Sequence, residues 1–190
     1  MWYEADPYPG WTPLMFAIKN MDKNGKNSMD KMNMLIKHGA NVNAWHHDGA
    51  PLHLATRYGS EYTKEIICTL INAGANINIK NVVGQNALIT AIIWFHNKHT
   101  IDAIHVLIEN GVDINAQSIT YKTALMFAVE FWGTRIHTKE IIYTLVNAGA
   151  DINIKNNNGK TALDIACDMA KKSGNFDMID ILQLYKDNWS

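Results

Sequence analysis

Cysteine, net charge and long apolar runs are all scarce in this chain, and each scarcity excludes a class of protein. The 190 residues include two cysteines, and the formal net charge is −1. Cys68 and Cys167 lie far apart within helix-like patterns, which favours two reduced thiols over a disulfide. A charge so close to zero gives no support for a nucleic-acid or membrane-surface partner.

No stretch of the sequence has the length of a membrane span. The apolar run at residues 88–95 is far too short, and the first ten residues lack the basic-then-apolar order of a signal peptide. With 47% hydrophobic and 18% charged residues, the composition is that of a globular domain with a sizeable core. We expect an intracellular, cytoplasmic protein.

Internal repetition is what the sequence has in abundance. A leucine that opens a helical pattern recurs at intervals of 38, 36, 37 and 38 residues, at Leu14, Leu52, Leu88, Leu125 and Leu163. A glycine that closes the next helical pattern precedes the following leucine by 13 or 14 residues, at Gly39, Gly74, Gly111 and Gly149. Such a period predicts stacked units, with the variation in length confined to the connection between the two helices of each unit.

Each anchor of the repeat has a local physical reason. Thr12 and Pro13 supply an N-cap hydroxyl and a proline at the first helical position. Thr123, Thr161 and Asn86 are predicted to cap in the same way, whereas Ala50 offers no cap. A second set of caps is predicted two residues before an acid, at Ser28, Thr63, Thr100, Thr138 and Asn175. After each closing glycine, an Asx side chain is expected to brace a turn.

Four motifs resemble ankyrin repeats: G-x-T-P-L at 10–14, A-P-L-H-L-A at 50–55, L-I-N-A-G-A-N-I-N at 70–78 and G-K-T-A-L-D-I-A at 159–166. The resemblance implies an all-α solenoid of five helix–turn–helix units with hairpin-like loops. It also implies one domain over residues 1–190, with repeats at about 6–45, 46–80, 81–117, 118–155 and 156–187. His53 would then be the structural histidine that hydrogen-bonds the turn.

The sequence departs from the family pattern at two turns and at both ends. Tyr121 stands where a hairpin glycine belongs, and the second unit is one residue short at Gly49, so we expect both turns to be distorted. The fifth unit lacks the closing glycine, and we expect the array to stop there. The predicted covers of the end faces are Trp2, Tyr3, Tyr8 and Trp11 at the front and Tyr185 and Trp189 at the back.

A search for reactive chemistry finds little. The candidate zinc ligands are His46, His47, His96, His99 and His105, but a tetrahedral site needs about four convergent ligands, and we interpret these residues as solvated loop histidines. No nucleophile or phosphate-binding motif is present. We therefore predict a protein that is not an enzyme and that holds no cofactor and no metal.

With no catalytic motif in the sequence, we consider binding through the protein surface. The resemblance implies a concave groove lined by hairpin tips and by the ends of the first helices. We predict that Phe95 and Trp132 fold inward and that Tyr58, Trp94 and Phe131 are exposed. The hypothesis is a non-catalytic protein-interaction scaffold that binds a protein partner through repeats 2–4. The predicted binding residues are Arg57, Tyr58, Val82, Val83, Trp94, Ile119, Glu130 and Phe131.

Two alternatives stay open. Ankyrin proteins are substrates of asparaginyl hydroxylation, and the positions that match are Asn43, Asn78, Asn115 and Asn153, each eight residues after a leucine. The chain is otherwise a host-targeting adaptor or a spacer in a larger assembly, because its Asn- and Ile-rich composition resembles ankyrin proteins of large DNA viruses and intracellular bacteria. That resemblance implies the host cytoplasm. We expect a monomer with no nucleic-acid or membrane partner.

Overall fold

The computed structural model describes residues 10–21, 26–58, 60–94, 99–131, 133 and 137–188, and within them the regular structure is helical with no strand. The ten helices in this part of the chain are α1 (Pro13–Lys19), α2 (Lys26–Lys37), α3 (Pro51–Arg57), α4 (Thr63–Asn72), α5 (Ala87–Ile93), α6 (His99–Glu109), α7 (Ala124–Glu130), α8 (Thr138–Asn147), α9 (Ala162–Ser173) and α10 (Asp177–Asn188). None of them is long and apolar enough to cross a bilayer.

Consecutive helices pair into five units, which we number 1 to 5 along the chain. Each first helix packs on its own second helix and on the first helix of the next unit, and α4, α6 and α8 pack side by side. The leucines Leu70, Leu107 and Leu145 are fully buried between units. No unit buries its apolar face alone, so the predicted all-α solenoid is confirmed.

The caps of the first helices are those that the sequence predicts. Thr12, Asn86, Thr123 and Thr161 each accept a backbone N–H from the first turn of the helix that follows. At Ala50, which has no capping side chain, the bond runs the other way. His53 Nδ1 accepts the Ala50 N–H at 3.1 Å, so a histidine three residues into α3 replaces the missing cap.

The predicted caps of four second helices are wrong. Ser28 and Thr100 lie inside α2 and α6, as their third and second residues. Thr63 and Thr138 are the first residues of α4 and α8 and not their N-caps, and neither helix has a side-chain cap. Both threonines are buried and turn their hydroxyls to the preceding connection. Thr63 Oγ1 accepts the Ser60 N–H at 2.6 Å, and Thr138 Oγ1 donates to the Phe131 carbonyl at 3.4 Å. Their role is to close the helix–helix connection.

An asparagine ladder joins the units along the base of the turns. The first Asx of each segment accepts the backbone N–H two residues on, as the sequence predicts. The asparagine that donates that N–H then uses its own side chain on the next unit. The Oδ1 atoms of Asn43, Asn78 and Asn115 accept the N–H groups of Asn76, Asp113 and Asp151 at 2.7, 2.7 and 2.8 Å.

A second row of bonds runs two residues further along each segment. Trp45 Nε1 donates to the Lys80 carbonyl, Lys80 Nζ to the Gln117 carbonyl and Gln117 Nε2 to the Lys155 carbonyl, at 3.1 to 3.3 Å. An indole, an amine and an amide therefore make the same contact at equivalent positions. What the row requires is a donor of sufficient reach at that position.

The two unusual turns behave differently. Tyr121 adopts a left-handed φ of 57° and closes its turn through its N–H to the Ser118 carbonyl at 2.9 Å, as Gly84 does to Asn81. The predicted distortion at Tyr121 is therefore wrong, because the side chain accepts a φ that normally favours glycine. The short turn at Gly49 does differ. Its φ is 111°, and an added Cβ would lie 2.5 Å from His53 Cγ.

Candidate protein-binding groove

The ends of the first helices lie against the tips of the turns, and ion pairs join them in three units. Arg57 donates to Asp48 at 3.0 Å and Lys122 to Glu130 at 2.6 Å, and Lys160 pairs with Asp168. The acidic partner lies on the turn in unit 2 and on the helix in units 4 and 5. We call the surface between tips and helix ends the groove surface. Its charged groups are largely neutralised by one another.

The pair in unit 5 is exposed but strongly coupled. The hydrogen bond to Asp168 and its charge raise the pKa of Lys160, and the same contact lowers the pKa of Asp168. The pKa of Asp164 is lowered by hydrogen bonds from the Thr161 backbone and hydroxyl. Both carboxylates are therefore held in the charged form that their partners require.

An aromatic and cationic cluster occupies the groove surface from unit 1 to unit 3. The guanidinium of Arg57 lies 4.2 Å from the centroid of the Trp94 ring and 5.5 Å from that of Tyr58. Trp11 packs edge-on against Tyr58 at 6.3 Å, and the Lys19 ammonium lies 5.5 Å from the Trp11 ring. Stacked cations hold these rings in place.

The middle of the groove surface is apolar and open. Val82 is 53% exposed, Ile119 64% and Trp94 38%. Val82 and Ile119 lie at the tips of neighbouring turns, and those tips are tied together because the Ile119 N–H donates to the Val83 carbonyl at 3.0 Å. Exposed apolar side chains on a bonded backbone form a preorganised patch.

The predicted exposure of three aromatic residues holds fully for one of them. Trp94 is exposed, whereas Tyr58 and Phe131 are half-buried and pack against the core. Each of the three immediately follows the last residue of a first helix, at the same register. Phe95 and Trp132 lie outside the described residues, as do His96 and the predicted covers Trp2, Tyr3, Tyr8 and Trp189.

Two predicted end covers lie elsewhere. Trp11 is buried and donates its indole N–H to His46 Nδ1 at 3.1 Å, so it joins unit 1 to unit 2. Tyr185 donates its hydroxyl to Asn147 Oδ1 at 2.8 Å and packs on Tyr143, so it contacts unit 4. Sequence reasoning missed that Trp11 faces the groove. The signal was its register three residues before Leu14, which matches Gln85, Lys122 and Lys160 on the turns of later units.

Three side chains at the first tip converge in the manner of metal ligands. The ligand atoms of His46, His47 and Asp48 lie within 4.8 Å of one another. However, His46 Nδ1 accepts the Trp11 indole N–H, and Asp48 Oδ1 is paired with Arg57. Zinc prefers about four ligands with their lone pairs available, so this arrangement is better explained as a hydrogen-bonded turn.

His53 is buried and serves the fold, as the family resemblance implies. Nδ1 accepts the Ala50 N–H, so the proton is on Nε2, which donates to the Gln85 carbonyl of unit 3 at 2.9 Å. Burial lowers the pKa of His53 from its usual 6.5, against the weaker raising effect of the two backbone bonds. The neutral ring therefore joins two units.

A stack of helix pairs joined by side-chain ladders, with an open surface at the tips of its turns, defines a helical repeat protein. The chain belongs to the ankyrin-repeat family, because the family model described as "Ankyrin repeats (3 copies)" matches residues 2–81, 22–118, 60–156 and 88–188. Ankyrin repeats generally mediate protein–protein interaction, and proteins built from them are typically non-catalytic.

Three ankyrin-repeat and related proteins are similar to part of the chain. "Ankyrin repeat and SOCS box protein 6" of Homo sapiens is 31% identical over 120 residues, which are 58% of this chain and 25% of that protein. "B-cell lymphoma 3 protein homolog" of Mus musculus is 34% identical over 88 residues, 46% of this chain and 18% of that protein. A putative ankyrin repeat protein of Acanthamoeba polyphaga mimivirus is 34% identical over 79 residues, 40% and 13% of the two chains. The similarity thus spans about a quarter or less of each relative.

Proposed function

We propose that this chain is a non-catalytic scaffold that binds a protein partner through the concave side of units 2 to 4. The observation that carries the proposal is the open apolar patch of Val82, Trp94 and Ile119 on the groove surface. The ion pairs that flank it satisfy their charges within the chain. A partner would therefore desolvate apolar side chains at the centre and meet few unpaired charges.

The other predicted residues have supporting roles in this proposal. The Val83 carbonyl accepts the Ile119 N–H and so joins two neighbouring tips. Tyr58 and Phe131 are half-buried and pack between the groove surface and the core. Arg57 and Glu130 are already paired with Asp48 and Lys122, so a partner gains from them only by accepting further hydrogen bonds from Arg57 or donating them to Glu130 at the rim. The proposal includes an intracellular location, and the two free thiols support it.

The test is affinity capture with a matched control. The groove variant carries Val82→Ala, Trp94→Ala and Ile119→Ala. The control carries Met34→Ala and Leu184→Ala, which remove two apolar side chains that are each 63% exposed but lie on α2 and α10, away from the groove surface. We expect wild type and control to capture the same proteins from a cell lysate and the groove variant to lose them. Capture by the groove variant at the wild-type level would overturn the proposal.

A second candidate function concerns the asparagines at the base of the turns. Asn43, Asn78 and Asn115 use their side chains on the next unit, whereas the Asn153 side chain has no hydrogen-bond partner in the described part of the chain. We propose Asn153 as the preferred site of asparaginyl hydroxylation, because an enzyme would break no ladder bond there. Mass spectrometry after incubation with an asparaginyl hydroxylase checks this, and an unmodified Asn153 would contradict it.

A further inference from the structure

Among the residues that the structure describes, unit 1 has no unit packed before it and unit 5 has none packed after it. At the register of Leu35, the residues Leu70, Leu107, Leu145 and Leu182 are all buried, and each belongs to a unit with another unit before it. Leu35, in unit 1, is only half-buried. This register therefore belongs to the face that a preceding unit covers, which we call the head face of unit 1.

The rest of the head face is apolar in the same way. Ala17 is half-buried and Pro13 exposed, although their equivalents Ala55, Ala91 and Ala128, and Pro51, Ala87 and Ala124, are all buried. With Phe16 and Leu35, these residues line a cavity. Among the described residues of its lining, Lys31 alone is charged, at a register that holds Ile66, Ala103 and Ile141 in later units. Unit 1 thus keeps an inter-unit interface with no unit on it among the described residues.

The opposite face of unit 5 shows the complementary pattern. At the register of Leu163, the residues Leu14, Leu52, Leu88 and Leu125 are buried, and each belongs to a unit with another unit after it. Leu163 itself is half-buried, as are Cys167 and Ile179 at two further registers of this kind. We call these three residues, with Asp164, the tail face. Asp164 is the acid where units 1 to 4 have Met15, His53, Ile89 and Met126.

We propose that the head face of one copy of this chain takes the tail face of a second copy. Every internal interface of the stack joins a tail-type face to a head-type face, so four copies of the contact already show which surfaces fit. Each face carries one charged residue at a register that holds uncharged residues in the other units named above. The two charges have opposite signs, because the head face has Lys31 and the tail face has Asp164. The contact is heterologous, so association is open-ended and increases with concentration. It replaces the expected monomer at high concentration.

The test is sedimentation velocity of the full chain over a wide concentration range. Two variants each block one face: Ala17→Arg blocks the head and Cys167→Arg blocks the tail. Circular dichroism and the thermal midpoint of each variant check that it is folded. We expect the weight-average mass of wild type to rise at least roughly two-fold above the 21.4 kDa of one chain. Each blocked variant alone is expected to remain at one chain.

A mixture of the two blocked variants separates this proposal from other modes of association. Each mixture partner keeps one intact face, so the variants are expected to form a dimer that grows no further. A wild type that remains at one chain throughout, or a mixture that does not dimerise, would overturn the proposal. Association seen only after removal of residues 1–9 would also overturn it, because the chain's own N-terminal segment would then be the occupant of the head face.

Discussion

The base and the tips of the turns belong to the same short segments, but the base repeats the same contact from unit to unit and the tips do not. At the base, each unit makes the same bond to the next, from asparagine Oδ1 to a backbone N–H. At the tips, the side chains differ from unit to unit. In the ion pair of unit 2 the acid lies on the turn and the base on the helix, whereas in unit 4 the base lies on the turn and the acid on the helix. The uniform edge holds the units in register, and the variable edge is where we propose that a partner binds.

The second row of bonds at the base shows that different side chains can make the same contact. Trp45, Lys80 and Gln117 make equivalent inter-unit bonds with three different side chains. Variation in residue type is therefore not enough to mark a binding surface, because different residues serve one structural bond. What distinguishes the tips is that Val82 and Ile119 are apolar and exposed on a backbone that is already bonded.

The largest expected effect comes from the interior of the stack. Leu107→Ala removes a fully buried side chain between units and should lower the free energy of unfolding by about 2–5 kcal/mol. Ile119→Ala, at the exposed tip, should change it by less than about 0.5 kcal/mol. Urea denaturation of both variants measures the difference. Similar losses for the two would show that the tips contribute to the stack.

The next largest loss of stability is expected at His53, which joins units 2 and 3. His53→Ala leaves the Ala50 N–H and the Gln85 carbonyl without their partner and should reduce the free energy of unfolding by roughly 1–3 kcal/mol. His47→Ala, at an exposed tip, is the matched control. Thermal denaturation at neutral pH compares the two variants, and an equal loss would contradict the structural role of His53.

The same histidine gives the stack a pH dependence with a definite sign. The pKa of His53 is lowered in the fold, so between that value and the ordinary 6.5 the unfolded chain binds a proton that the folded chain does not. Stability should therefore be complete above pH 6.5 and fall as the pH drops below it. His53→Ala should show a flatter dependence than wild type in urea titrations from neutral to mildly acidic pH. A variant with the wild-type slope would disprove the link.

The asparagine ladder allows a comparison between Asn78, which bonds to the next unit, and Asn153, at the same position of unit 4. Asn78→Ala removes the acceptor of the Asp113 N–H and should lower the free energy of unfolding by about 1 kcal/mol. Asn153→Ala removes a side chain with no such bond among the described residues and should change stability by less than about 0.5 kcal/mol. Chemical denaturation checks both, and an equal change would show that the ladder bonds add no stability.

The smallest expected effect is a gain. Tyr121 holds a left-handed φ of 57°, so Tyr121→Gly should relieve strain and raise the free energy of unfolding by roughly 0.5–1 kcal/mol after the added freedom of the unfolded chain is subtracted. Gly84→Ala is the converse change and should lower the free energy of unfolding, because an added Cβ would lie 2.9 Å from the Ile119 backbone nitrogen. A loss of stability in the first variant would show that the Tyr121 side chain contributes to the fold.

Most of the fold could be predicted because its signals are local. A capping side chain acts within three residues, as Thr12 and Asn86 do, and a closing glycine acts within one turn. The inter-unit role of Asn78 could not be predicted in this way, because its bond reaches 35 residues along the chain. The buried hydroxyl of Thr63 was misread as a cap since a threonine before an acid looks the same in either position.

The candidate site was predicted less completely for a related reason. Arg57 and Trp94 were assigned to the groove one by one from register, but their stacking depends on how unit 2 sits on unit 3. The ion pairs between tip and helix end were missed, although their spacings of 8 and 9 residues are regular. That spacing acquires meaning only when the turn is known to fold back over the helix end.

The most direct test of this division of labour is the affinity of a captured partner for two single variants measured side by side. We predict that Trp94→Ala weakens binding at least roughly ten-fold, the effect of losing about 1.4 kcal/mol at an interface centre, whereas folded Asn78→Ala binds as wild type does. Equal binding by wild type and Trp94→Ala, or an equal loss in both variants, would contradict it.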